Sequence, residues 1–405
     1  MATIRILHAS DLHIAAADQR RSFKDTVQDA ISTLPNSRAK AMWKALRRMS
    51  LASSYEPRVL NHLAEFIVHN AKGVKPDVLQ YDEDWASKHK IVFLKEKLDA
   101  VVLTGDLATT GLDADLKLVK RFFNADYDPD VPHLPIARGS IIATLSALDN
   151  AKTPVVFLPG NHDRYWFHWK VPTYMPGHDA FDTIVSDYRS KPVQRTPITA
   201  GHSKLQVVMF AADFTLRRFR DHQWLGSRPQ WPGGWIAQGK VYEDADNDIL
   251  GDLVSKTTNE IVTRKPDVPL CVLWAVHFPP KFPKQSSLHK LINEDRLLEE
   301  ADRLGVNGIL AGHTHYQQKY RDNDPAECPV FCCGTTAQHE PKTSVENPIQ
   351  RYKENLFQIL TISVNAAGKI QIEAEDYYHP PAKAFPPREE TTHWQKVALP
   401  KQPGN

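Results

Sequence analysis

What most constrains the fold of this chain is a recurrent pattern: a short apolar run stops at a glycine or proline, and residues that bind metal or move protons follow at once. Residues 155–158, Val-Val-Phe-Leu, run into Pro159-Gly160 and then Asn161-His162-Asp163. A continuous apolar run bounded by turn residues reads as a strand buried on both faces. The polar residues after it offer an amide oxygen, an imidazole and a carboxylate able to orient that imidazole. Taken alone, the stretch also reads as an ordinary turn, because Pro-Gly-Asn and Asn-His-Asp are common in loops. Repetition favours the chemical reading.

The same pattern occurs at four other places. Residues 4–7 lead to Asp11 and His13, which share one face of an extended backbone, and residues 98–103 lead into Thr104-Gly105-Asp106. Residues 270–276 end at His277 before Pro279-Pro280, and residues 307–311 run into Gly312-His313-Thr314-His315. Each has a structural alternative: a turn-capping Asp11, an Asp106 that N-caps the next helical stretch, a hydrogen-bonded His277. Two histidines one residue apart on a glycine-led loop are the sharpest signal, able to address one metal ion or two neighbouring ones. Ligand sites in α/β sheets lie just beyond the carboxyl ends of strands, where all these groups fall.

Between these blocks the spacing predicts helices over residues 37–48 and 57–69, within an excursion at about 14–97 that reads as a helical insertion or flap. Amphipathic packing accounts for its Met42, Trp43 and Leu46. Further helices are expected over 113–123, 140–148 and 291–304, strands over 205–211 and 330–333, and a hairpin from 356–363 and 369–375 turning at Ala366-Ala367-Gly368. After Asp163 comes a crowded aromatic run. Farther on, Arg217, Arg218 and Arg220 interleave with Phe219 and Trp224, a pattern that can cradle phosphate and stack a base, or form a solvated basic face over an aromatic stripe. The expected organisation is one domain over 1–378 with insertions at about 14–97 and 164–245, the second facing substrate. A Pro-rich tail at 379–405 follows, draped or mobile.

Composition narrows the class. With 41% hydrophobic and 24% charged residues the chain resembles an ordinary soluble protein, and its net charge of +2 sets up no global field towards nucleic acid or anionic lipid. No window approaches the roughly eighteen apolar residues of a membrane span, and the first residues run directly into a strand pattern without a leader. A cytoplasmic protein with no membrane partner is therefore expected. Cys271, Cys328, Cys332 and Cys333 lack a metal-ribbon spacing and read as reduced thiols in or near the core, although Cys328 can pair oxidatively with Cys332 or Cys333.

The ordered blocks D-x-H (Asp11, His13), G-D (Gly105-Asp106), G-N-H-D (Gly160 to Asp163), a single His277 and G-H-x-H (Gly312 to His315) resemble the signature of the calcineurin-like metallophosphoesterase superfamily. The match covers residues 4–16, 98–110, 153–166, 270–280 and 306–336. This resemblance implies an α/β fold, a four-layer α/β/β/α sandwich carrying helical and loop insertions. It implies one metal ion on Asp11, His13, Asp106 and His315, and another on Asp106, Asn161, His277 and His313, with Asp106 bridging. Such mixed ligands suit Mn, Fe or Zn. By the same resemblance a metal-bridging hydroxide attacks a phosphoester while His162 stabilises the phosphoryl group or protonates the leaving oxygen. Asp163 is expected to orient His162, and Arg164, with Arg217 and Arg218, to contact substrate.

The complete G-H-x-H block looks like the phosphodiesterase and DNA-repair-exonuclease branches, so the expected substrate is a small or nucleotide-like phosphodiester. A metal-dependent DNA or RNA nuclease, a phosphomonoesterase and a non-catalytic binding protein on the same fold are the alternatives. The oligomeric state is left open.

Overall fold

The computed structural model describes residues 3–14, 57–72, 94–109, 111, 113–123, 153–164, 166–168, 171–173, 180–198, 204–215, 239, 241, 248–265, 267–283, 291–321, 324, 326–337, 355–379 and 394–396. In chain order the strands are β1 (Thr3–Ala9), β2 (Ala100–Thr104), β3 (Val155–Leu158), β4 (Trp166–His168), β5 (Val171–Thr173), β6 (Val193–Ile198) and β7 (Gln206–Ala212). They continue as β8 (Leu270–Ala275), β9 (Gly308–Ala311), β10 (Gln318–Tyr320), β11 (Val330–Cys332), β12 (Asn355–Val364), β13 (Ile370–His379) and β14 (Gln395–Lys396). Two mixed 6-stranded sheets result, ordered β14-β13-β12-β1-β2-β3 and β10-β11-β9-β8-β7-β6, beside the small β4-β5 hairpin.

Side-chain alternation explains how the layers stack. Along β7 and β8, Val207, Met209, Ala211, Cys271, Leu273 and Ala275 join the core cluster that holds Leu7, Leu103 and Leu360 of the first sheet. The intervening Val208, Phe210, Val272 and Trp274 belong instead to a second cluster with Leu253 and Leu297. One face of the second sheet therefore meets the first sheet, and the other meets the helices Ile249–Thr263 and Glu294–Leu304. A strand buried on both faces needs apolar residues at successive positions, which is why these segments do not alternate with polar ones. The helix Pro57–Asn70 covers the outside of the first sheet, with Phe66 packed 4.9 Å from Phe357 and 5.5 Å from Tyr377 between ring centroids.

Several expectations held within a residue or two: β2, β3, β7 and β8, and the helix Asp113–Phe123; the β12-β13 hairpin, whose Gly368 has φ 75, also forms, with β13 running four residues past its expected end. Others need correction. The helix Pro57–Asn70 is a packed layer rather than a flap, because Leu60, Leu63, Ala64, Phe66 and Ile67 are all buried in the central core. The segment 164–245 is not wholly a substrate-facing insertion, since β6 and β7 pair antiparallel and β7 continues parallel to β8 within the second sheet. Of the two states expected for the tail, its described residues are draped rather than mobile: Trp394 is fully buried 4.5 Å from the Phe357 ring, and β14 then pairs with β13. Predicted helices at 37–48 and 140–148, and the whole of Arg217, Arg218, Arg220, Phe219 and Trp224, lie outside the described residues. All four cysteines are buried and free. No helix among the described residues is long and apolar enough to cross a membrane.

Candidate functional site

β1 pairs parallel with β2, β2 with β3, and β8 with β9, so the segments leaving their carboxyl ends emerge on the same side of each sheet. The loops from the two sheets are then stitched together. Asp11 N–H donates to Gly105 O at 3.0 Å and His13 N–H to Asp106 O at 3.0 Å, which aligns the first two blocks. Across the sheets, the Asp11 carboxylate accepts the His313 N–H at 3.0 Å, and within the second sheet Gly312 N–H donates to His277 O at 3.0 Å. Residues up to 302 positions apart meet through these bonds.

Backbone conformation marks the same residues. Asp11, His13, Asp106, His313 and His315 have φ of 54, 50, 49, 66 and 60, the left-handed region that non-glycine residues enter at a cost of about 1–3 kcal/mol each. Gly105, at φ 95, cannot be replaced for a further reason: a Cβ there would stand 2.4 Å from His277 Nδ1. At Gly160 a Cβ would stand 2.2 Å from Asp106 Oδ1. Thus the glycines of two sequence blocks are set by how closely backbone and side chain approach within the site.

Two groups of side chains emerge, Asp11 with His13 and His315, and Asp106 with His277 and His313. Within each, one potential ligand atom per residue lies within 4.8 Å of the others. In the first, Asp11 Oδ1 is 3.2 Å from His315 Nε2 and 3.9 Å from His13 Nε2. Asp11 Oδ1 and both ring nitrogens of His13 are buried without a hydrogen-bond partner among the described residues. Burial, reinforced by the neighbouring His162, pushes the His13 imidazole down to about 3, so the ring is neutral and keeps a lone pair to offer. Orphaned lone pairs converging in a buried site fit a cation.

In the second group, His277 Nδ1–H donates to Thr104 O at 2.7 Å, turning Nε2 towards Asn161 Oδ1 at 3.1 Å, His313 Nδ1 at 3.2 Å and Asp106 Oδ2 at 3.4 Å. Lone pairs facing one another at this range need a metal ion or a proton between them. Burial disfavours the imidazolium, yet the Asp106 carboxylate outweighs it and pushes His277 up to about 9. For Asp106 itself, burial works upward while the His277, His162 and His13 rings hold the carboxyl well below its usual range. Both groups therefore fit cations, and Asp106 is electrostatically tied to histidines of each.

The remaining candidates separate. His162 stands on the turn Asn161–Arg164, partly exposed beside His13 with ring centroids 4.9 Å apart. Its N–H donates to Asp106 Oδ1 at 2.8 Å, and its Nδ1 is 2.9 Å from Thr109 O. The carbonyl of Thr109, which the sequence reading missed, orients this ring. Asp163 does not, because its carboxylate accepts the N–H groups of Leu107 at 3.1 Å, Ala108 at 2.7 Å and Gly160 at 2.8 Å, binding the two loops to each other. Burial and the nearby Asp106 push Asp163 up to about 7 against those three bonds.

Arg164 is a second correction. Its Nε and Nη2 donate to Asp213 Oδ2 at 3.1 and 2.6 Å, Nη2 also reaches Asp182 Oδ1 at 2.8 Å, and Nη1 pairs with Asp182 Oδ2. The guanidinium is buried and committed on all three nitrogens, so it holds the fold rather than a phosphate. Arg217 and Arg218 lie outside the described residues.

The model of a family described as calcineurin-like phosphoesterase matches residues 4–317. No curated protein matches the sequence. Among solved structures the chain is similar to a dimetal phosphatase from Danio rerio, at 13% identity over 89% of this chain and 94% of that one, with a TM-score of 0.41. It is also similar to GAP50, the anchor in the inner membrane complex of Plasmodium, at 11% identity over 99% and 91% with a TM-score of 0.39. A putative 5'-nucleotidase from Staphylococcus aureus matches at 12% identity over 98% of this chain but 55% of that one, with a TM-score of 0.37. Likeness at these scores carries no argument about substrate.

Proposed function

This chain belongs to the calcineurin-like phosphoesterase family, whose model spans residues 4–317, and from that membership we propose that it hydrolyses a small or nucleotide-like phosphodiester with the help of two metal ions. Metal-dependent phosphoester hydrolysis is what the family implies. In our reading Asp11, His13 and His315 hold one ion, Asn161, His277 and His313 the other, and Asp106 both. The observation that carries it is the orphaned set of lone pairs on Asp11 Oδ1 and both His13 nitrogens, buried at a point where His315 also converges. Bound there, two cations supply Lewis acidity, lowering the pKa of a water and offsetting charge on phosphoryl oxygens.

The protein's own groups do the rest. Thr109 O fixes His162 Nδ1, so the opposite ring nitrogen of the protonated form can give its proton to a leaving oxygen. Asp106, accepting the His162 backbone N–H, ties the turn that carries this ring to the ligand cluster. The diester preference is supported by Arg164. A monoester carries up to two charges at neutral pH and a diester one, and the arginine adjoining the motif is already neutralised by Asp182 and Asp213.

The test reconstitutes wild type and His162→Ala with manganese and measures metal content with hydrolysis of bis(p-nitrophenyl) phosphate and p-nitrophenyl phosphate. Wild type is expected to prefer the diester, and His162→Ala to lose about 10²–10⁴-fold in turnover with its metal content unchanged. Preference for the monoester contradicts the diester assignment. A full metal complement with no turnover of either ester contradicts the enzymatic one.

A further inference from the structure

Three polar side chains lie in series inside the first sheet, where apolar residues would pack as well. Gln358 of β12 is the direct cross-strand partner of His8 on β1, and Gln358 Nε2 donates to His8 Nδ1 at 3.0 Å. The remaining ring nitrogen, His8 Nε2, then carries the hydrogen and donates to Thr104 Oγ1 at 2.9 Å, at the end of β2. The backbone oxygen of the same threonine accepts His277 Nδ1–H at 2.7 Å and the Ser10 hydroxyl at 3.3 Å. Gln358, His8, Thr104 and His277 are all at most 2% exposed. Burying such groups costs free energy unless each is hydrogen-bonded, and a fully satisfied buried network fixes a single arrangement. Burial lowers His8 to about 3, so the ring stays neutral and its one N–H has one direction to point.

We propose that Gln358, His8 and Thr104 are positioning residues that hold the Thr104 carbonyl against His277, aiming His277 Nε2 at Asp106, Asn161 and His313. The inference rests on the two-metal reading. Thr104 is anchored through its hydroxyl, and the peptide that follows it leads through Gly105 to Asp106, so one anchor sets two ligands of the same ion. The chain of contacts spans 350 residues in sequence between His8 and Gln358, and the His8 ring within it is neutral. It differs from the contacts of His13, whose ring nitrogens have no hydrogen-bond partner among the described residues.

The experiment uses the full chain, stripped of metal and titrated with Mn²⁺ against a competing chelator, with His277→Gln as the reference that lacks the same ion. Wild type should take up two ions. Thr104→Val, which keeps the shape and loses the hydroxyl, should weaken one of the two affinities by about 10–100-fold, the step that His277→Gln also loses, and leave the other within about twofold. Thr104→Ser should restore it. Gln358→Met provides the same reading should Thr104→Val fail to fold. A merely structural role would lower the melting temperature and leave the two affinities alone or reduce them equally, and either outcome overturns the proposal. A wild type that binds no metal overturns the two-metal reading along with it, whereas two ions bound normally by both Thr104→Val and Gln358→Met overturn only the positioning role.

Discussion

Two buried polar clusters, one around Arg164 and one around Asp11 and His13, have opposite characters. Around Arg164 the ionic groups are engaged: Asp213 and Asp182 take all three guanidinium nitrogens, Asp213 Oδ1 accepts Thr215 N–H at 2.9 Å, and Asp182 Oδ1 accepts the N–H groups of Tyr188 at 2.9 Å and Arg189 at 3.0 Å, although the buried Tyr188 hydroxyl has no hydrogen-bond partner among the described residues. The guanidinium also lies 5.3 Å from the centroid of the Phe181 ring. Around Asp11 and His13, lone pairs are orphaned and the backbone occupies the left-handed region at residue after residue. A cluster that satisfies itself stabilises a fold. One that leaves strain and unmatched lone pairs in the dry interior is held in place for something it binds.

That contrast can be broken by mutation. The largest effect is expected for Asp106→Asn, which removes the carboxylate that we propose the two ions share. Turnover of the diester should fall by about 10³-fold or more, the loss of several kcal/mol of charge stabilisation. An Asp106→Asn variant that keeps full turnover with a normal complement of two ions would erase the distinction between the clusters. Arg164→Met should behave in the opposite sense, leaving Asp182 and Asp213 buried without their cation and costing about 3–5 kcal/mol in urea unfolding. Its metal content per folded molecule should be normal, and loss of metal with stability intact would return Arg164 to the site.

The smallest effect sharpens the comparison at a third buried group, Glu65 on the helix Pro57–Asn70. Burial pushes its carboxyl up to about 7 from an ordinary 4.5. The folded state then holds a proton that the unfolded chain releases above pH 4.5, so stability is full below that pH and declines as pH rises towards 7, by about 1–3 kcal/mol. Glu65→Gln should lessen this slope in unfolding measured between pH 5 and pH 8, leaving the part that Asp163, also pushed up to about 7, contributes. An unchanged slope would show that another group carries it.

Much of the molecule was legible because its signals are local. Buried strands announce themselves as unbroken apolar runs, and Gly105, Gly160 and Gly312 mark where they end, so the ligand groups could be placed from residues near each other in sequence. What escaped depends on partners far away. Val193–Ile198 carries Gln194, Arg195 and Pro197 and has no apolar run to betray it, yet it joins the second sheet through β7. Arg164 adjoins the motif, but Asp182 and Asp213, 18 and 49 residues later, decide what it does. Trp394 reads as part of a Pro-rich tail until Phe357 and His379 are seen around it. The orientation of His162 likewise rests on a backbone carbonyl, that of Thr109, which no side-chain pattern could reveal.

The most direct test of the central claim is elemental analysis of the wild-type chain after manganese reconstitution and removal of loosely bound metal, with phosphodiester hydrolysis followed in the same sample. The account predicts two ions per chain and activity that chelation abolishes and manganese restores. A chain that hydrolyses the diester equally well with no bound metal would contradict it.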